Sequence, residues 1–207
     1  MNTVISLFDY TGNWSRPWKE NRYNVVRVDL KLGQNILTWD YKQIPKRDVK
    51  AILIAIPCDN YALSGAAWFA EKDKDGRTAF SQKLVAKAKE ILDYFKPEIY
   101  AIENPMSRIH KLNPWMGQPK LKFNPYEYAD YDPCPIKSAY QKETWLWGKF
   151  KKPIKRPMLK DGFLSGIENK GNWMYKNLGG KSERTKELRS TTPMGFAYAF
   201  FEANRLE

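Results

Sequence analysis

The sequence predicts an α/β fold built on an open, mostly parallel sheet. Short apolar runs recur along the chain, Val4–Phe8, Asn24–Asp29, Ala51–Ile56 and Ile99–Ile102, and they pass into polar or reactive residues, as strands buried on both faces do. Between the third and fourth runs, Phe80, Leu84, Ala88, Ile91, Leu92 and Phe95 fall on one helical face. The order strand, glycine turn, short helix, strand, acid at the start of the chain reads as a βαβ unit.

Val4–Phe8 is the first buried run, and Asp9-Tyr10-Thr11-Gly12-Asn13-Trp14 is a polar turn after it. Ser15 is placed to cap a short helix with Pro17 in its first turn and Trp18 within it. Asn24–Asp29 is a second strand ending in a carboxylate, which either takes ribose hydroxyls or caps the next turn. Asn35–Tyr41 reads as an edge strand or loop, and Asn60–Arg77 as loop-rich. Lys96-Pro97 stops the long helix before the strand that runs into Glu103. Leu121-Lys122-Phe123 can start a strand, and Tyr140–Phe150 has strand character. Residues 151–190 form a basic Gly-, Asn- and Lys-rich insertion or loop, with a helical turn over Glu183–Arg189. Pro193 opens a final helix with Phe196, Phe200 and Ala203 on one side.

At 207 residues the chain is long enough for one sizeable core, and a single domain over 1–207 is expected. No apolar run reaches the length of about 18 residues that a membrane span needs, and no leader pattern opens the chain. With two cysteines, Cys58 and Cys134, there is no disulfide framework and no zinc quartet. These features point to the cytoplasm, with no membrane partner and no metal, and a monomer is expected. The formal charge of +12 points to a polyanion, nucleic acid first, or to a merely basic surface. Lys149, Lys151, Lys152, Lys155 and Arg156 lie near Trp145, Trp147 and Trp173 in sequence, a mixture suited to phosphates and bases or, for the indoles, to core packing.

The chemistry concentrates where strands end. Pro57-Cys58 follows the third run and Glu103-Asn104-Pro105 follows the fourth. In a parallel sheet with a helical crossover these two ends are neighbours, so a thiol and a carboxyl group converge at the carboxyl edge, where ligands bind in such sheets. That pair suits addition of a nucleophile to a flat, electron-poor ring with an acid assisting. The alternatives are a small buried core cysteine and a turn or capping acid. Cys134, within Asp132-Pro133-Cys134-Pro135, reads as structural, and His110 as a surface or phosphate-contact residue.

Taken in order, these segments resemble the cytosine-C5 DNA methyltransferase family, most closely its short phage-type members. Leu7-Phe8-Asp9-Tyr10-Thr11-Gly12 resembles the first cofactor motif and Val28-Asp29 the ribose acid. Pro57-Cys58 resembles the catalytic Pro-Cys pair and Glu103-Asn104-Pro105 the Glu-Asn-Val motif. Gln141-Lys142 stands where a Gln-x-Arg-x-Arg strand is expected, and Thr192-Pro193-Met194-Gly195-Phe196-Ala197 resembles the carboxyl-terminal motif. The resemblance implies a Rossmann-like class I methyltransferase sheet with helices on both faces and a reduced or absent target-recognition domain. It implies S-adenosylmethionine as cofactor, held by Phe8, Gly12, Asp29, Asp40 and Pro57, and DNA as partner, with RNA or a nucleotide as alternatives. Cys58 and Glu103 are its catalytic residues, and Arg108, Gln141, Lys142, Lys151 and Lys152 its nucleic-acid contacts. The chain departs from the family pattern in four ways. Tyr10 replaces a glycine, Asp59 follows Pro-Cys where Gln is usual, Glu143 and Trp145 occupy the region of the two arginines, and the stretch between Phe150 and Pro193 is short for a recognition domain. Two further readings stay open: a related base- or nucleotide-modifying enzyme, and a catalytically silent nucleic-acid-binding protein of the same fold.

Overall fold

The computed structural model describes residues 1–157, 182, 187 and 190–206. Most of the basic 151–190 segment therefore lies outside the described residues, as do Trp173 and all of the expected Glu183–Arg189 turn except Glu187. The chain divides into two compact units, Met1–Leu121 with Trp145–Phe150, and Lys122–Thr144 with Lys151–Glu207.

The fold is mixed α/β with one six-stranded sheet in the order β2-β1-β3-β4-β6-β5. In chain order its strands are β1 (Thr3–Leu7), β2 (Asn24–Val28), β3 (Val49–Ala55), β4 (Ile99–Pro105), β5 (Leu121–Phe123) and β6 (Thr144–Lys149). The helices are α1 (Arg16–Glu20), α2 (Phe69–Lys74), α3 (Arg77–Phe95), α4 (Ile109–Leu112), α5 (Pro135–Ser138) and α6 (Met194–Asn204). The pairs β1–β2, β1–β3 and β3–β4 are parallel, so most of the sheet runs one way. No described helix is long and apolar enough to cross a membrane.

Alternation along the strands builds the first unit. Ile5, Leu7, Ile52, Ile54 and Ile102 form one core cluster with Val85, Ala88, Ile91, Leu92 and Phe95 of α3, so the long helix covers that face. The alternate residues Val4, Ser6, Leu53, Ala101 and Glu103 are buried too, which gives the near-continuous apolar runs seen in the sequence. α3 begins three residues before Phe80 because Gly76, in the left-handed region, and the Asp75 carboxylate set its first turn; Asp75 Oδ1 accepts from the Arg77 amide at 3.0 Å. It ends at Lys96, also left-handed, just before Pro97.

The second unit has its own aromatic centre. Phe123 stacks on Phe196 at 3.9 Å, and Tyr128 meets both rings edge-on. Ser138 Oγ accepts from the Gly195 amide at 3.0 Å and donates to Asp132 Oδ2. The Asn204 side chain pairs with both backbone groups of Lys151, accepting at 2.7 Å and donating at 2.9 Å. The strand expected from Tyr140 is confined to Thr144–Lys149, because the Tyr140 amide and carbonyl are taken by Ser138 and by the Tyr126 amide.

Gly148 marks where β6 meets β4 closely. Its φ is +133°, and a Cβ there would stand 2.2 Å from the Tyr100 carbonyl oxygen. Gly148→Ala is expected to destabilise the protein by about 2 kcal/mol or more through backbone strain and overpacking, read as a lower urea midpoint with unchanged slope. An unchanged midpoint would show that β6 does not need this approach.

Candidate functional site

Three parallel pairings set the carboxyl ends of β2, β1, β3 and β4 side by side. The candidate site is built on that edge, within the first unit.

Leaving β1, Phe8 takes a left-handed φ of +62° and its amide donates to the Val28 carbonyl at 2.8 Å. That conformation is costly for a side chain that is not glycine. It is held by Asp9, 5 % exposed, whose Oδ2 accepts from Ser6 Oγ at 2.9 Å, Ser15 Oγ at 2.7 Å and the Ser15 amide at 3.2 Å. Ser15 thus secures the β1–α1 loop through Asp9; its side chain caps no helical amide. Gly12 (φ +73°) completes the turn, and its missing Cβ leaves room for a protein group: a Cβ there would stand 2.6 Å from Arg27 Nη1. The same guanidinium donates to the Tyr10 carbonyl at 3.0 Å.

The carboxylate after β2 caps a turn. Asp29 Oδ1 accepts from the Lys31 amide at 2.8 Å and opens the 3-10 turn Leu30–Leu32. The Lys31 ammonium lies 4.9 Å from the centre of the Tyr10 ring, so the exits of β1 and β2 touch. Asp40 is exposed and accepts from the Lys42 amide at 3.3 Å, capping the turn Tyr41–Gln43.

The exits of β3 and β4 are the most tightly joined. Ala55 and Glu103 are register partners. Cys58 is three residues beyond Ala55. Strand spacing plus the reach of three residues then keeps the Cys58 and Glu103 Cα atoms within about 15 Å. Glu103 is 6 % exposed, and Cys58 and Pro57 are half-buried. Asn104, fully buried, donates from Nδ2 to the Ile56 carbonyl at 2.9 Å and so fixes the residue before Pro57. The Cys58 carbonyl accepts from the amides of Tyr61 and Ala62, both at 2.9 Å, closing a turn around the thiol-bearing residue. Beyond it the loops run as a short antiparallel pair: Ala62 bridges Ser107, the Leu63 amide donates to Met106, and the Arg108 amide to Tyr61.

Arg108 braces this corner. Its guanidinium donates to both Asp73 oxygens at 2.7 and 2.8 Å, to the Asn60 carbonyl and to Thr78 Oγ1, and it stacks 3.7 Å from the centre of the Phe69 ring. Hydrogen bonds from Arg108, then Thr78, hold the Asp73 carboxyl down at about 2. His110 lies 5.8 and 5.7 Å from the rings of Trp145 and Trp147, and Trp147 is buried, so these aromatics pack the fold.

The remaining expected contacts belong to the second unit. Gln141 and Lys142 are half-buried in the coil before β6, and Lys151 and Lys152 are exposed. Cys134 is half-buried, and its amide donates to Asp132 Oδ1 at 2.8 Å. No cluster of potential metal ligands occurs among the described residues.

Sequence reasoning missed Asn104 as the bolt between two strands and Arg27 as the occupant of the space over Gly12. An asparagine inside a buried strand, just before its closing proline, was a usable signal for the first; nothing local signals the second. The chain matches no protein-family model, and no curated protein matches it.

Asn104→Ala removes the donor to Ile56 and is expected to cost about 1–3 kcal/mol, measured by chemical denaturation. In a Cys134→Ser background the same change should speed labelling of Cys58 by a maleimide. An unaltered labelling rate would mean that Asn104 does not hold the Cys58 turn.

Proposed function

We propose that the chain transfers the methyl group of S-adenosylmethionine to carbon 5 of cytosine in DNA, on a class I methyltransferase-like sheet, by way of a covalent adduct with Cys58. One observation carries the reading. A thiol-bearing turn and a buried carboxyl residue leave adjacent parallel strands in register, tied by Asn104 and by the pairing of the loops that follow. Such a pair can address two positions of one pyrimidine ring.

The chemistry needs both groups. Carbon 5 of cytosine is a poor nucleophile until a thiolate adds at carbon 6. Cys58 Sγ forms that bond, and the displaced electron pair makes carbon 5 enamine-like. Glu103 holds N3 and supplies a proton as negative charge develops on the ring. When bound, S-adenosylmethionine supplies the electrophilic methyl group that carbon 5 takes. Loss of the carbon 5 proton to a base then expels Cys58 and restores the ring. A base in duplex DNA must leave the stack to reach the thiol.

Phe8, Asp29 and Pro57 fit a nucleoside cofactor: they are half-buried at three neighbouring strand ends, and Asp29 keeps a second oxygen besides the one that accepts from Lys31. At Gly12 the space a Cβ would fill meets the far end of the flexible Arg27 side chain, which can shift to admit a ligand. Tyr10 in place of a cofactor-motif glycine, with Glu143 and Trp145 rather than arginines after Gln141, favours a second reading, a protein of this architecture that binds nucleic acid without methyl transfer.

DNA carrying 5-fluorocytosine separates the two. A denaturation-resistant adduct is expected with the wild type, none with Cys58→Ala, and formation slowed about 100-fold or more with Glu103→Gln. An adduct that persists in Cys58→Ala, or none from folded wild type in the presence of S-adenosylmethionine, would end the methyltransferase reading.

A further inference from the structure

A groove of about 480 Å³ runs between α1 and the sheet-edge strand β2, with Gly12, Arg16, Lys19, Tyr23, Val25 and Arg27 in its lining. That is within the size range of ligand sites. Three of the lining side chains are cationic and none is acidic. The one acid of α1, Glu20, does not line it. Strand period puts Val25 and Arg27 on the same side of β2, opposite the face whose Val26 and Val28 pack into the core. Helix spacing places Arg16 and Lys19 together, three residues apart on α1.

The groove is partly pre-set. Arg27 is held by the Tyr10 carbonyl at 3.0 Å and lies against Gly12, whose missing side chain makes the space. Arg16 reaches Asn13 Oδ1 at 3.4 Å. Tyr23 is fixed edge-on against the buried Trp18, ring centres 5.1 Å apart, and offers an aromatic surface beside the cations. Cations that follow a backbone and a ring on which a base can stack are the elements of single-strand binding.

We propose that this groove binds the sugar–phosphate backbone of a single-stranded nucleic acid, with Arg16, Lys19 and Arg27 on phosphates and Tyr23 against a base. The inference does not rest on Cys58 chemistry, and the groove stands as a binding site whether or not the chain transfers methyl groups. Immobilised phosphates would release counterions, so binding should weaken steeply with salt.

The test is anisotropy of a labelled oligothymidylate with the full chain across a salt series, comparing Arg16→Gln/Lys19→Gln with Lys83→Gln/Lys111→Gln. All four residues are exposed and both variants lose equal charge. The groove variant is expected to bind about 10-fold more weakly and to lower the salt slope by about 1.4, two phosphates' worth for a single strand. The control should change less than about 2-fold. A difference between the two variants below about five-fold would assign the binding to diffuse charge and overturn the proposal, as would displacement of the oligomer by inorganic phosphate at an equal phosphate concentration. The oligothymidylate carries no cytosine, so its binding is read separately from the proposed transfer activity.

Discussion

The register of β3 on β4 is the constraint on which the rest of the first unit depends. Because Ala55 stands opposite Glu103, whatever follows β3 emerges beside the buried carboxyl residue of β4. A one-residue slip would reverse every side chain on the strand and drive Glu103 into the apolar face that α3 covers. The register is locked beyond the ladder itself. Asn104 grips the Ile56 carbonyl, and the pairing of residues 61–63 with 106–108 extends the lock past the Cys58 turn. A thiol presented on a loop tied at both ends has little conformational freedom left to lose.

Arginine does two different jobs around this edge. Arg108 spends its donors inside the protein, on Asp73, Asn60 and Thr78, and buries its flat face on Phe69. It is a strut for the β3 and β4 loops, and the fork shape of the guanidinium is what lets one side chain tie a loop carbonyl, a helix acid and a hydroxyl together. Arg27 is half-buried and uses one donor on Tyr10 while lining a groove. The same residue type thus serves cohesion in one place and leaves charge toward solvent in another, which a net charge of +12 cannot distinguish.

Much of the first unit was legible because its signals are local. Val4, Ile5, Leu53 and Ile54 lie in apolar runs that only a doubly covered strand explains, and the period from Leu84 to Phe95 specifies α3. The neighbouring ends of β3 and β4 followed from a single helical crossover. What sequence could not supply were partners far apart along the chain. Nothing local announces Asp73 beside Arg108 or Arg27 against Gly12. Asp29 and Asp40 show a related limit: a carboxylate at a strand or loop end looks the same whether it awaits a ribose or accepts a backbone amide, and both accept one. In the second unit the aromatics Phe123, Tyr128 and Phe196 assemble across distant segments, where no periodicity announces them.

The account turns on Cys58 and Glu103 acting together on one pyrimidine. The most direct measurement is transfer of labelled methyl from S-adenosylmethionine, offered DNA, RNA and free nucleotides in parallel. Incorporation at carbon 5 of cytosine in DNA, abolished by Cys58→Ala without loss of fold, is the result the account predicts. Label retained by that variant, or found at an exocyclic nitrogen, would contradict it.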